Sequence, residues 1–397
     1  MSKFNLTKNN ADITNNLADK TGSCASANAS GSVKAELMAG TSTSVIGNAS
    51  ANASPSAKTQ KLIESLRHRK RQDIALLLVL TAFLFVLISI LMMFGNSFYD
   101  PHTIFRVLAG EQVSGASFTI LELRLPRVLL GALVGFAFGL AGNSFQKLLG
   151  NPLASPDIIG ISSGASIAAV FGILVFKLPG STVSLMALIS GLLVALAIYL
   201  ISQGKDFSQA RLILVGIGFQ AFLSAGISFL LLRASQYDVG SALRWLSGSL
   251  NSADLSQIPL LALVVIIFGL VIVLCDRRLQ ILELGHEYAS ALGARPQSLR
   301  LCLMVSALFL IAFATAQSGP VASVAFLSGP IALRLSKSGR NHPLSAALVG
   351  ALLVLGAEAL SQLLLPTHYP VGVVTGILGA PYLLWLLLRI NKKGSAV

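Results

Sequence analysis

The stretch Gly160-Ile-Ser162-Ser-Gly164 matches G-x-S-x-G, in which a serine on a strand-to-helix turn attacks a carbonyl carbon with a histidine as base. That chemistry needs a strand before the serine and an imidazole beside it. The residues before Gly160 read instead as a proline-containing turn, and none of the five histidines falls inside an apolar run. His286-Glu287 opens like a zinc-protease helix, but residue 290 is Ser290, so the second ligand of H-E-x-x-H is missing. Cys24, Cys275 and Cys302 have no metal or redox spacing, and the last two read as small apolar fillers at helix borders. No phosphate loop of the form G-x-x-x-x-G-K-S/T occurs, so any ATP that drives this protein binds another chain. The expectation is a chain with no catalytic residue, no metal site and no cofactor.

What remains is a set of charges and small residues whose positions matter. Arg124 and Arg127 are three apart and share one helical face. Such a pair either snorkels to lipid headgroups or meets an acidic partner. Pro126 between them suits a helix start, where its missing N–H costs nothing. Gly131, Gly135 and Gly139 follow at four-residue spacing, with Gly142 beyond, and make a smooth face for close helix packing. Gln146 precedes Gly150-Asn151-Pro152-Leu-Ala-Ser-Pro156-Asp157, a composition that prescribes a tight re-entry into the next helix. Asp157 then stands in the first turn, where its charge suits the helix dipole. Glu358 is the clearest ionisable residue inside an apolar run. At mid-depth in a bilayer such a charge costs about 2–3 kcal/mol unless it is paired or faces water.

The elements that carry these residues follow from composition. Of the 397 residues 54% are hydrophobic and 11% charged, and apolar runs of roughly 16 to 22 residues recur from Ile74 onward. They do not alternate polar and apolar positions, so they read as helices rather than barrel strands. The spans are expected near 74–94, 128–149, 158–176, 183–201, 212–232, 258–275, 301–316, 321–333, 344–365 and 371–388, the eighth short enough to be broken or half-buried. Residues 1–57 form a polar tail too poor in apolar residues to order itself. A basic juxtamembrane segment, 58–73, precedes the membrane domain at 74–390, and 391–397 form a C-terminal tail. The net charge of +13 is gathered in short segments between runs, which is a topological footprint and not a nucleic-acid surface. With both termini in the cytoplasm, 19 Lys and Arg from residue 58 onward lie inside. Six lie outside: Arg106, Arg124, Arg127, Lys177, Arg233 and Arg244. The stretches 95–127, 233–257 and 276–300 are too long for turns, and the last reads as a short helix from Leu284 to Leu292.

Four motifs, in this order, resemble the iron-siderophore and vitamin B12 permease family of ABC importers, the FecCD-like group. They are Arg124-Leu-Pro126-Arg127; Gln146 through Gly164; Gly285-His-Glu287-Tyr-Ala289-Ser-Ala-Leu292-Gly293; and Pro370-Val-Gly372 through Gly379-Ala-Pro381. The resemblance implies an all-α membrane protein of about ten helices, with an inverted repeat of helices 2–5 and 7–10, working as a multi-pass permease of the inner membrane. Its partners would be two ATP-binding subunits, an external substrate-binding protein, and a second permease copy or a homologous permease. Arg124 and Arg127 match the family's rim arginines for the binding protein. Gly285, Glu287, Ala289, Leu292 and Gly293 match the helix that inserts into the ATPase. Gln146, Asn151, Pro152, Pro156, Gly160, Gly164 and Glu358 match its translocation and packing motif. Two positions depart from the family: Gly150 stands where arginine is usual, and Gln362 replaces the arginine four residues after the acidic Glu358. The implied cargo is a ferric siderophore. Vitamin B12 or haem, or an ion-coupled secondary transporter, are the alternatives. The scarcity of intramembrane charges argues against the ion-coupled carrier.

Overall fold

The computed structural model describes residues 57–95, 97–203, 209–282, 296–337, 339 and 342–394. Those residues form helices, turns and connecting segments and contain no strand. The helices are α1 (Ala57–Met93), α2 (Pro101–Leu108), α3 (Leu125–Leu148), α4 (Ile161–Leu174), α5 (Gly180–Ser202), α6 (Gln209–Arg233), α7 (Gln236–Leu246) and α8 (Ile258–Leu282). They continue with α9 (Pro296–Ser318), α10 (Val324–Leu335), α11 (Pro343–Leu363) and α12 (Val371–Gly394). Seven are long and apolar enough to cross a membrane, while the apolar parts of α4, α10 and α12 are shorter. Each expected apolar run falls on one of these ten helices. The polar tail up to residue 56 and the 285–293 motif lie outside the described residues.

Three boundaries differ from expectation. The basic stretch around Arg67–Arg71 is continuous α-helix with the apolar run that follows it, because Lys, Arg and Glu are good helix formers and need no apolar face to continue a turn. Before α3, residues Thr119–Arg124 are already helical, wound as a wider π turn, so Pro126 falls in the first α-turn of a longer helical run. Residues 156–159 form a separate 3-10 turn, and α4 begins only at Ile161. Gly160 between them has φ 73°, ψ 10°, a left-handed conformation that ends one helical segment before the next can start.

Helix α3 is the axis of the bundle. Its apolar window is 78% buried, against 11% for α1 and 17% for α6. It packs on α8, α9, α10 and above all α11. Lipid tails are as apolar as leucine, so helices in a membrane associate through close packing and not through water exclusion. The glycine face supplies that closeness. A Cβ on Gly135 would run into the Gly350 carbonyl and the Ala351 backbone, one on Gly139 into the Ala346 carbonyl, and one on Gly142 into the Ala325 carbonyl. Gly350 answers from α11, where a Cβ would strike the Gly135 carbonyl. Gly131 faces the Leu250 and Leu355 side chains.

Packing in the two halves corresponds. As α3 lies on α11, so α9 lies on α5; as α4 lies on α5, so α10 lies on α11; as α3 lies on α10, so α9 lies on α4. The short helices α4 and α10 are also entered alike, α10 through Ser323 at φ 68°. The link from α9 to α10 is non-helical and passes close to two other backbones. Ser249 N–H donates to Ser318 O at 2.7 Å, and the Pro320 carbonyl lies against the backbone at both Gly248 and Gly372, which are themselves joined by Gly372 N–H donating to Gly248 O at 3.0 Å. Irregular backbone is tolerated at such a place when protein surrounds it and satisfies its polar groups.

The glycine seam yields a test. Gly135→Val forces a side chain into the α11 backbone, and overpacking costs about 1–3 kcal/mol or more when backbone must move. Its detergent-solubilised melting temperature should fall by several degrees, whereas Gly356→Ala, with open space around its Cβ position, should melt like the parent. An unchanged melting temperature for Gly135→Val would contradict the packing described.

Candidate functional site

At one end of the bundle the last turn of α1, the π turn, the 247–257 link and the α11–α12 link converge. They enclose a cavity of about 430 Å³ lined by Leu91, Leu123 and Val128 together with Ser97, Thr119, Arg124, Arg127, Asn251, Gln362 and His368. Arg124 reaches back to α1. Its Nη1 donates to Met92 O at 2.7 Å and Met93 O at 3.0 Å, and its Nη2 donates to Ser97 O. The Met92 and Met93 carbonyls end α1, where a cation complements the negative pole of the helix dipole. The guanidinium also lies 4.9 Å from the centroid of the Tyr99 ring. Arg124 is thus a clamp between α1 and α3 as well as a wall of the cavity.

Arg127 turns toward α11. Its Nη1 is 3.5 Å from Glu358 Oε1, with the two side chains 22% and 6% exposed. Gln362, one turn further along, donates its Nε2 to the same oxygen at 2.5 Å. Glu358 is therefore satisfied inside the chain by a cation and an amide. Arg127 Nε is buried with no hydrogen-bond partner, while the residue as a whole lines the cavity. Elsewhere, Ser235 caps α7, its hydroxyl accepting from Asp238 N–H, and Lys177 Nζ lies 3.5 Å from Asp238 Oδ2. Hydrogen bonding from Ser235 first, then the Lys177 charge, holds the half-buried Asp238 carboxyl below its ordinary range.

The other motif residues gather at the far end of α3. Gln146 Nε2 donates to Phe326 O at 2.8 Å and so holds the start of α10. Gly329 lies so near Gln146 Oε1 that no Cβ would fit. Gly150 takes φ 57°, and Asn151 Oδ1 accepts from Leu153 N–H at 2.9 Å, which folds the turn around Pro152. Pro156 opens the 3-10 turn with Ser155 as its cap. Asp157 accepts from the hydroxyls of Ser155 at 3.0 Å and Ser162 at 2.5 Å. Ser162 therefore faces a carboxylate, and among the described residues no strand precedes it, unlike the serine of a G-x-S-x-G elbow. A Cβ on Gly164 would crowd Val194, and the Gly164 carbonyl accepts from Ser190 Oγ at 2.7 Å.

One pair at this end escaped the sequence reading. Lys147 Nζ lies 2.5 Å from Asp276 Oδ1, with both side chains under one-tenth exposed, at 8% and 9%. It ties the last turn of α3 to α8. The only local signal is that Lys147 is the single basic residue in that last turn, and nothing in either neighbourhood pairs it with a residue 129 positions away. The described residues hold no cluster of three or more His, Cys, Asp or Glu side chains that could bind a metal.

An all-helical bundle with seven spanning-length apolar helices, irregular backbone buried within it and its charges at the helix ends is a multi-pass membrane protein. Within that class the chain belongs to the FecCD transport family, whose model matches residues 78–389. It is 36% identical over 295 residues to the ferric enterobactin transport system permease protein FepG of Escherichia coli (strain K12), covering 74% of this chain and 89% of that one. It is 36% identical to the achromobactin transport system permease protein CbrC of Dickeya dadantii (strain 3937), covering 80% and 91%. It is 32% identical to the hemin transport system permease protein HmuU of Yersinia pestis, covering 80% and 97%. A solved inward-facing structure of a metal-chelate type ABC transporter shares the fold at TM-score 0.69 and 24% identity, over 79% of this chain and 99% of that one.

Removing one member of a buried pair leaves the other charge uncompensated, which costs roughly 3–5 kcal/mol when both are dry and less where one is partly wet. Arg127 is partly wet, so Glu358→Ala should cost about 1–3 kcal/mol, visible as a lower melting temperature. The double variant Arg127→Met with Glu358→Met should recover most of that loss. Additive losses in the double variant would show that the two side chains do not act as a pair.

Proposed function

We propose that this chain is the membrane-spanning permease subunit of an ATP-driven importer that carries an iron chelate inward across the cytoplasmic membrane. The observation that carries the reading is the family match over 78–389, joined to relatives at 31–36% identity whose names are those of permeases for ferric enterobactin, achromobactin, Fe(3+)-citrate, hydroxamate and hemin. The chain has no phosphate loop, so two separate ATP-binding subunits supply the energy. The permease itself is no enzyme. A second permease, identical or homologous, completes the translocation path, and a soluble binding protein delivers cargo. Haem is the second cargo reading, favoured by the hemin permease among the relatives.

In this scheme the two ends of α3 have different partners. The cavity at Arg124 and Arg127 receives acidic groups of the binding protein. Two guanidiniums give it a positive lining, with Glu358 behind Arg127, and rim charges of this sort steer encounter and set register. Gly285, Glu287, Ala289, Leu292 and Gly293, which fall in the sequence between α8 and α9, are the residues that dock into the ATPase. Lys147–Asp276 couples the end of α8 to α3, so a displacement of the docking element reaches the axis of the bundle directly. ATP-driven closure of the partner subunits then shifts the equilibrium between inward- and outward-facing arrangements. An ion-coupled carrier finds little support, because Glu358 and Asp276 each already face a cation.

The test is uptake in liposomes that contain the permease, its ATP-binding subunits and the binding protein loaded with a ferric chelate. Uptake should require ATP. Glu287→Ala or Leu292→Ala should abolish it while leaving binding-protein docking intact. Uptake driven by an ion gradient without the ATP-binding subunits would overturn the proposal, and normal transport by the two variants would overturn the coupling assignment.

A further inference from the structure

Helix α10 carries a proline in its interior, Pro330. Proline has no N–H, so the Phe326 carbonyl four residues back loses the donor that an α-helix would supply. Within a bundle that spans lipid, such a carbonyl must find another donor in the protein. It comes from α3: Gln146 Nε2 donates to Phe326 O at 2.8 Å. Gly329, beside the proline, makes the room, because any Cβ there would collide with Gln146 Oε1. The need for this amide and the space for it therefore sit in adjacent residues of α10.

One turn earlier on α3, Asn143 is in the opposite state. Its side chain borders the same spot at Gly329 and is 1% exposed, yet among the described residues neither its Nδ2 nor its Oδ1 has a hydrogen-bond partner. Residues three apart on a helix share a face, so α3 presents two carboxamides to α10, one engaged and one idle. Gly142, between them in sequence, lies against the Ala325 carbonyl and puts no side chain in the way from one to the other. Past the break, the Arg334 guanidinium stacks on Trp385 of α12, 3.8 Å from the ring centroid, which carries a bend at Pro330 to a further helix.

We infer that Gln146 is a positioning residue for transport: its amide stands in for the N–H that Pro330 lacks, and Asn143 is the second seat of the Phe326 carbonyl when α10 shifts along α3. Passing between the seats moves α10 by about 4.5 Å, the helix rise from Asn143 to Gln146. That is close to the one-turn steps by which packed elements exchange two arrangements. The carbonyl is bonded at both ends of the step, and a helix already broken at Pro330 makes it without losing a further backbone hydrogen bond. The stand-in rests on the geometry alone, whereas the step rests on the importer reading above.

A double-mutant cycle on the full chain in detergent tests the stand-in. Gln146→Leu should lower the melting temperature by several degrees. In a Pro330→Ala chain, whose restored N–H reaches Phe326 O, the same change should lower it far less. Equal drops in the two backgrounds would overturn the stand-in, and Pro330→Ser serves as the background if Pro330→Ala does not accumulate. Asn143→Leu tests the second seat, in the chain alone and in the reconstituted importer. Its melting temperature should equal or exceed the parent's, since an unpaired buried amide has been removed, while ATP-dependent uptake should be largely lost. A lower melting temperature, as for an amide already satisfied by ordered water, would overturn the second seat, and so would parental uptake. A parent assembly without ATP-dependent uptake would count against the importer reading and the step with it, while the cycle judges the stand-in independently.

Discussion

The bundle depends on the contact between the glycine face of α3 and the backbone of α11. Inside a bilayer no gain comes from hiding apolar side chains from water, so stability rests on how closely helices approach and on satisfying polar groups. Gly135, Gly139 and Gly142 bring α3 against carbonyls and Cα atoms of α11 and α10. A helix held that tightly along its middle is a rigid strut. Its two ends then become the natural places for charges. Each end carries one ion pair to a different helix: Arg127 with Glu358 on α11, and Lys147 with Asp276 on α8.

That arrangement gives the rim arginines a double character. Arg124 spends donors on the last carbonyls of α1, and Arg127 is shared with Glu358, yet both line the same cavity. A charge held by its own scaffold is pre-oriented for a partner and loses less freedom on binding. It also reports on the scaffold, since whatever pulls on Arg127 pulls on the α3–α11 pair.

Much of this was legible in the sequence because the signals are local. Uninterrupted apolar runs predicted the ten apolar helices, the four-residue glycine spacing predicted the packing face, and Gly150 to Pro156 predicted the tight turn. The turn's Asx geometry at Asn151 and its cap at Ser155 follow from residue type alone. The pairings across the bundle were not legible. Lys147 and Asp276 meet only because α3 and α8 pack. The helical winding of the basic stretch on α1 was missed for another reason: an apolar-run criterion ends at the first cluster of charges, whereas the backbone hydrogen bonds of a helix do not. Gly160 marks the same limit, since hydropathy passes through it without change while its left-handed backbone breaks the helix.

The central proposal is that α3 carries the signal between its two ends, each proposed to dock a partner. The measurement that tests it most directly is the stimulation of ATP hydrolysis by cargo-loaded binding protein, in the complete importer in nanodiscs. Replacing Lys147 with Met and Asp276 with Leu together keeps the packing but removes the electrostatic tie. The account predicts that this double variant still hydrolyses ATP at its basal rate but no longer responds to the binding protein. Stimulation equal to that of the parent would contradict it.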